Sequence, residues 1–489
     1  MIFYLLPLTL LFFGHFILIP MAKVLSYRLK GFHTYFYPIQ GKLKIWSDGL
    51  KAQGDMFAEA KEFRQKFPDH KISITNLGTK TLISLRDPEY MKEFMQKPHY
   101  YEKAIIKDFF QPLMGDGLAM SEGETWKRHR KIISNSFHYD SLNKNISTIQ
   151  TTAREFFDKI ASQEYQNYSV INRVQQITGE IVGRIFFGEH LNKYTHEGKP
   201  LTLALADLIS DLTSLAMTPL SVCLGGLALK YPVFPRYIKM KKRIKEFHAF
   251  CLKIIDDRKK SDQKGNDLLA ALLATQNTSD AEAMLSDREI VDEFITFFTA
   301  GMDTTGHLIG MTLYCLVQNP KYLEVLRQER EEFYKHEKKL MTENLNKMEQ
   351  LHNLIKETLR HYTPAPLLFI RKTVISHKIL DLDVSKGTWI IPEPISISND
   401  PKYFEEPEKF NPERWKEIGN KIDPYVFVPF SGGPRNCVGQ HLAIAEAKVI
   451  ISEFLERFDF KVKEGYDLKM VLRFLYEPEQ EMLFELNKK

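Results

Sequence analysis

The run Phe430-Ser-Gly-Gly-Pro-Arg-Asn-Cys-Val-Gly439 admits few conformations, because its glycines and proline force a tight loop that leads straight into a helical stretch. One cysteine, Cys437, sits at that junction, with Arg435 two residues before it and Gly439, Ala443 and Glu446 after it. The thiolate, not the thiol, binds metal, and a helix N-terminus or a positive neighbour lowers a cysteine pKa. Gly433 and Gly439 let the backbone turn sharply and approach a flat ligand closely. A lone thiolate suits a metal that brings its other ligands with it. Haem iron is such a metal, and an axial thiolate there favours O–O cleavage. Donors around the sulfur tune the iron, Arg435 can form a bidentate pair with a propionate, and Phe430 is expected to shield the sulfur from water.

The chain has 489 residues and shows no linker tract, internal repeat or low-complexity run, so one large helical domain is expected. A net charge of +5 with widely spread basic residues argues against nucleic acid as a partner. The four cysteines form no C-x-x-C pair, which excludes a zinc ribbon or a dithiol redox site. Cys223, Cys251 and Cys315 read as small buried hydrophobes in a reducing, cytosol-facing protein.

Residues Met1 to Ala22 carry no charged side chain, and Lys23, Arg28 and Lys30 follow at once. About 20 apolar residues match the hydrocarbon core of a bilayer, and the basic flank places the body on the cytoplasmic side. A cleaved secretory signal would show a basic segment before the apolar run and an A-x-A-like site after it; neither occurs. The expected division is a transmembrane anchor at 1–22, a basic linker at 23–45 and a catalytic domain at 46–489. With a cytosolic body, the sequons at Asn145, Asn167 and Asn277 should stay bare.

Ser286 and Glu289 form a capping box that opens a helical pattern running to about Asn319, roughly 50 Å at 1.5 Å per residue. Its middle reads Ala300-Gly-Met-Asp-Thr-Thr305. The Thr304 hydroxyl can bond back to the carbonyl of Ala300 and bend the helix, and Gly301 is expected to open a notch there. Trp126 and Arg130 share one helix face. Glu357 and Arg360 lie at i, i+3 before Pro364, and Arg414 follows in Asn411-Pro-Glu-Arg-Trp415.

In this order the motifs resemble those of the cytochromes P450, microsomal type. Phe430, Gly433, Arg435, Cys437 and Gly439 match the haem-binding signature, and Ala300, Gly301, Asp303 and Thr304 match the distal helix with its acid–alcohol pair. The resemblance implies a mainly α fold: a large helical domain and a smaller β-rich region, with haem b (iron protoporphyrin IX) between a long distal helix and the cysteine loop. It implies Cys437 as the iron ligand, Asp303 and Thr304 as catalytic proton carriers, and Trp126, Arg130, Arg435 and Arg371 toward the propionates. Glu357, Arg360 and Arg414 become structural supports, since a buried pair needs every lone pair met. The stretch Leu215 to Leu229 and the basic segment after it look like the F–G region that touches the membrane. Two departures are Ile397-Ser-Asn-Asp400, where many relatives carry His-x-Asp/Glu, and a hinge reduced to Pro38.

The implied reaction activates dioxygen and inserts one atom into an apolar small molecule such as a lipid, sterol or foreign compound. No Gly-x-Gly-x-x-Gly or cysteine cluster supplies electrons, so a separate NADPH-cytochrome P450 reductase is expected at the endoplasmic reticulum membrane, with Lys127, Arg128 and Lys131 as a candidate contact. The alternatives are a P450-type isomerase or dehydratase, which tends to lose the acid–alcohol pair, and a non-catalytic haem-binding membrane protein. The segments Tyr100 to Met120, Phe294 to Thr304 and Pro364 to Ile370 and the region of Phe474 are the expected pocket, and Phe109, Phe110, Phe297 and Phe298 suggest an apolar guest.

Overall fold

Apolar side chains dominate Leu10–Ala22, and the computed structural model carries Leu10–Leu29 as one 20-residue helix, long and apolar enough to cross a membrane. The structure describes all residues except 1–9, 105, 138, 162–164, 189–190, 217, 262–264, 266, 278–283, 338, 368–369 and 420. The bond that Pro20 cannot donate to the carbonyl of Phe16 falls within a loosened π-type turn at Gly14–Leu18, and α1 (Ile19–Leu29) continues without a break. Leu11, Phe12, Leu18, Ile19 and Leu25 stay exposed. Residues 23–45, expected as a linker, carry packed structure. The Tyr27 hydroxyl donates to the carbonyl of Asp383 at 3.1 Å, Lys30 pairs with Asp383 at 3.3 Å, and the buried Lys42 ammonium meets Glu393 at 2.6 Å.

Strands β1 (His33–Thr34), β2 (Ile72–Leu77), β3 (Lys80–Leu85), β4 (Tyr101–Lys103), β5 (Arg371–Thr373) and β6 (Trp389–Pro392) form one sheet in the order β1-β2-β3-β6-β5-β4. β6 runs parallel to β3 and antiparallel to β5. The antiparallel register of β4 on β5 sets Lys103 directly opposite Arg371, so strand pairing alone brings together two cations 268 positions apart in the chain. Ile74, Ile83, Leu85 and Ile390 from this sheet and Trp415 belong to a second, smaller core.

The larger core surrounds helices α2 (Gly123–Ser134), α3 (Val170–Phe186), α4 (Leu201–Ala216), α5 (Pro235–Lys260), α6 (Asp287–Gln318), α7 (Glu349–Tyr362) and α8 (Gln440–Arg457). α6 begins and ends where expected: Ser286 and Glu289 make the capping box and Asn319 closes the helix before Pro320. A helix buried almost all round must be packed on every face. Toward α3 that packing is very close. A Cβ on Gly301, Gly306 or Gly310 would lie 2.6 Å from Val182, Gln175 or Ile171 respectively. The expected notch at Gly301 is therefore corrected: Val182 occupies that space, and the glycine serves the seam between two helices. Behind α3, a Cβ on Gly179 would lie 2.6 Å from Thr202 of α4.

The apolar stretch after α4 folds as two short helices, Pro219–Leu224 and Leu227–Lys230, and leaves Leu224 and Leu227 exposed, with Val233 and Phe234 beyond them.

Candidate active site

The cysteine loop is built from its backbone outward. The Cys437 N–H donates to the carbonyl of Phe430 at 2.9 Å, closing the loop. Gly433 has φ +67°, and a Cβ there would lie 2.6 Å from the carbonyl oxygen of Met95, so both conformation and space demand glycine. Gly439 differs from expectation. Its φ of −90° is open to any residue; what it keeps clear is the space where a Cβ would lie 3.7 Å from Phe137 and 4.0 Å from Cys437 Sγ. Cys437 lies deep in the protein and is nevertheless accessible, which puts it on the wall of an internal space. Burial pushes its thiol above the usual range, while the Gly439 N–H and the Arg130 guanidinium pull the other way. Arg130 reaches across from α2 and donates to the Asn436 carbonyl at 2.7 Å and to its side-chain Oδ1 at 2.8 Å. It thereby fixes the residue before the cysteine. The ring of Phe430 packs against the main core. Glu446 is buried on α8 with Oε1 unpaired among the described residues, and burial holds its carboxyl well above the carboxylate range.

A basic cluster adjoins the loop. Arg435 pairs with Glu122 at 2.5 Å, donates to the carbonyl of Ser121 at 3.0 Å, and stacks over Trp126 at 4.4 Å. Arg371 reaches the same carboxylate at 3.3 Å and Lys103 at 3.6 Å. Three cations thus converge on one carboxylate. Burial lowers the Lys103 ammonium well below its usual range, brings Arg371 to about 10 and lowers Arg435, with Glu122 opposing in each case. Arg435 Nε is buried without a partner among the described residues. Trp126 and Arg130 do lie on one face, but Arg130 points to Asn436 and Trp126 to Arg435. Lys103, Glu122 and Asn436 escape sequence reasoning. Asn436 alone carries a signal, its place between Arg435 and Cys437.

On α6, Ala300 is exposed while residues 290–299 are buried, so the helix also borders an internal space. The Thr304 hydroxyl donates to the Ala300 carbonyl at 2.6 Å, as its spacing predicts. Phe137 links the two walls. It lies beside Gly439 and meets Phe297 of α6 at 5.7 Å between centroids. Asp303 points elsewhere: it is buried, accepts from Gln175 Nε2 at 3.3 Å, and burial raises its carboxyl to about 7, with His307 lowering it and Glu477 raising it further.

Supporting contacts complete the site. Glu357 accepts from Arg360 Nη2 at 2.8 Å, Arg414 Nε at 3.1 Å, Trp415 Nε1 at 3.0 Å and the Asn411 N–H at 2.9 Å. The expected triad is present, with the Trp415 indole and the Asn411 amide as further members. Asp400, at the departure from the usual His-x-Asp/Glu, pairs with buried Arg64 at 2.7 Å. Arg128, expected on a partner-facing surface, is corrected: it pairs with Glu289 of α6, beside a buried His129–Glu293 contact of 2.6 Å. Phe109 and Phe298 are fully buried core rather than pocket lining, while Phe110 meets Phe474 at 5.0 Å. Leu368 and Phe369 of the expected pocket lie outside the described residues. Cys251 and Cys315 are buried, as expected; the side chain of Cys223 lies outside the described set.

Comparison with known proteins places this geometry. The Cytochrome P450 family profile matches residues 38–484. Cytochrome P450 4V2 of Rattus norvegicus is 28% identical over 424 residues, covering 83% of this chain and 79% of that protein. Cytokinin hydroxylase of Arabidopsis thaliana is 29% identical over 399 residues, covering 80% and 75%. The crystal structure of the cytochrome P450DA heme domain superposes with a TM-score of 0.79 at 19% identity, covering 94% of this chain and 97% of that one. The chain belongs to the cytochrome P450 family and is a monooxygenase of the haem-thiolate type, served by dioxygen and a redox partner.

Proposed function

We propose that haem b lies between Cys437 and the Ala300–Thr304 face of α6, and that the enzyme oxygenates an apolar small molecule with electrons from NADPH-cytochrome P450 reductase. The observation that carries the reading is the basic cluster beside the cysteine loop. Lys103, Arg371 and Arg435 all reach the carboxylate of Glu122, and Arg435 Nε is unpartnered among the described residues. Propionates would bring further negative charge to these cations and an acceptor for that Nε. The accessible surfaces of Cys437 and Ala300 suit the two faces of a flat macrocycle. Thiolate-ligated haem supplies electron transfer and activation of dioxygen.

The chain's own residues then have definite tasks. Cys437 would supply the thiolate ligand to the haem iron, with the Gly439 N–H and Arg130 favouring its charged form against burial. Arg130 holds the loop through Asn436. Arg371 and Arg435 orient the propionates, and Trp126 braces Arg435. A carboxyl raised to about 7 can hold and release a proton near neutrality, which suits Asp303 to general acid work. Thr304 passes that proton on through its hydroxyl. In Thr304→Ala, the share of consumed NADPH that ends as hydrogen peroxide should rise several-fold, measured by the balance of NADPH, oxygen and peroxide. An unchanged balance would remove Thr304 from the reaction. The intact Asp303–Thr304 pair favours monooxygenation over isomerase or dehydratase chemistry. Binding spectra against a panel of fatty acids, sterols and foreign compounds would identify the guest.

The apolar helix Leu10–Leu29 supports membrane anchoring. With the basic flank beyond it, the body lies in the cytosol at the endoplasmic reticulum. Asn167 and Asn277 are both exposed, so a lumenal body would be glycosylated there. The protein made in microsomes should show no mobility change on glycosidase treatment.

A further inference from the structure

We propose that a cavity walled by α3, α4 and the hairpin of β7 (Met470–Leu472) and β8 (Tyr476–Pro478) is the proton entrance to Asp303, with His307 and Glu477 as positioning residues at its inner end. The proposal rests on the reading of Asp303 as a proton donor and adds where its protons come from.

The cavity measures about 270 Å³ and opens to the surface. At about 30 Å³ per water it has room for several. Gln175, Ser210, Asp303, His307 and Glu477 line it, so a water chain has polar partners along its whole length. Asp303 and His307 lie four residues apart on α6 and so share the face that meets the cavity. The imidazole of His307 is held at both ends. Nδ1 faces the Asp303 carbonyl oxygen at 2.9 Å and Nε2 faces Glu477 Oε2 at 3.2 Å. Two oxygen acceptors on two ring nitrogens suit the doubly protonated ring, a store of one exchangeable proton beside Asp303. Glu477 is fixed in turn by Arg473 at 2.6 Å. The amide Nε2 of Gln175 donates to the Asp303 carboxyl at 3.3 Å. An amide does not relay protons, so it positions the carboxyl while water carries the transfer. The cavity also faces Asp207 of α4 and Glu479 and Glu481 after β8, a surplus of carboxylates that attracts protons toward its mouth. Burial works against a charged His307, but Glu477 and then Asp303 outweigh it and raise its pKa overall. The same burial raises Asp303. Asp303 therefore exchanges protons near neutrality, and His307 keeps its proton to higher pH than a free imidazole does.

The test needs no identified guest. The full chain in phospholipid nanodiscs, with the reductase and no added substrate, reduces oxygen by two routes: O2 + NADPH + H+ gives H2O2 and NADP+, and O2 + 2 NADPH + 2 H+ gives two waters and 2 NADP+. Delivery of protons through Asp303 favours the second. His307→Gln can keep a hydrogen bond to Glu477 but cannot titrate, and Ala206→Phe adds bulk to the cavity from α4. Each should raise the peroxide share several-fold and enlarge the solvent isotope effect. Glu477→Gln should shift the pH at which peroxide rises downward, since the lost carboxylate raises both His307 and Asp303. A readout independent of turnover is histidine NMR of the reduced carbon monoxide complex. The resonance missing in His307→Gln should titrate above a free histidine and move down in Glu477→Gln. Peroxide and pH profiles at wild-type values in His307→Gln and Ala206→Phe, or a His307 resonance blind to Glu477→Gln, would overturn the entrance. If Thr304→Ala raises peroxide while these variants do not, the entrance alone fails. If they raise it and Thr304→Ala does not, Thr304 fails and the entrance stands.

Discussion

Cys437→Ser should yield a protein without the red-shifted Soret band of a thiolate-bound ferrous carbonyl complex and without product formation at any substrate concentration. The argument is one of charge and position. Burial raises the thiol, and the Gly439 N–H and Arg130 work against it in favour of the ionised form. A serine hydroxyl stays neutral there and gives the iron a poor, uncharged ligand. Nothing nearby substitutes for it: the other two described free cysteines, Cys251 and Cys315, are buried away from the loop, each with its thiol raised by burial. The loop itself should survive, because its geometry rests on the Cys437 N–H bond to Phe430, on Gly433 and on the Arg130–Asn436 clamp. The variant should therefore fold and lose the spectrum, as judged by circular dichroism beside the carbon monoxide difference spectrum. A thiolate-type spectrum in Cys437→Ser would end this account of the site.

Glu357→Ala should prevent accumulation of folded protein. The carboxylate is fully buried and serves two guanidinium groups, an indole N–H and a backbone N–H. Removing one member of such a set leaves buried charges unpaired, at about 3–5 kcal/mol. That is a large part of the about 5–15 kcal/mol that separates folded from unfolded chains. Glu357→Gln keeps the shape and loses the charge, and should be destabilised less. The pH dependence has a definite sign. Burial alone would raise Glu357, but hydrogen bonds from His361 and Arg360 bring it well below the carboxylate range. A carboxyl whose folded pKa is depressed stabilises fully above its unfolded pKa and loses that contribution as the pH falls toward the folded value. Wild-type protein should thus lose part of its stability below the ordinary carboxylate range, and Glu357→Gln should lose less. Urea unfolding at a series of acid pH values checks both. Equal losses in the two proteins would remove Glu357 from the acid response.

What the sequence discloses of this site follows from how local each device is. The loop around Cys437, the Ser286–Glu289 capping box and the Thr304 bond to Ala300 each lie within ten residues, and all three are legible. The Glu357 network is legible because Glu357 with Arg360 and Arg414 with Trp415 form two short motifs, although only folding joins them. Lys103 and Arg371 become neighbours through strand register, which nothing near either residue announces. Glu477 reaches His307 from a hairpin more than 150 residues away for the same reason. Gly301 is misread because a glycine in a helix does not say which side needs the room. Arg128 is misread because a basic residue on an amphipathic helix looks the same whether it meets solvent or the carboxylate of Glu289.

The glycine seam between α3 and α6 has a consequence for how such an enzyme can change its selectivity. Gly301, Gly306 and Gly310 leave no slack against Val182, Gln175 and Ile171. Bulk added behind the helix can only push its far side toward the cysteine loop, and bulk removed lets it retreat. Side chains on α3 thus act as shims behind α6, setting how far that helix stands from the cysteine loop.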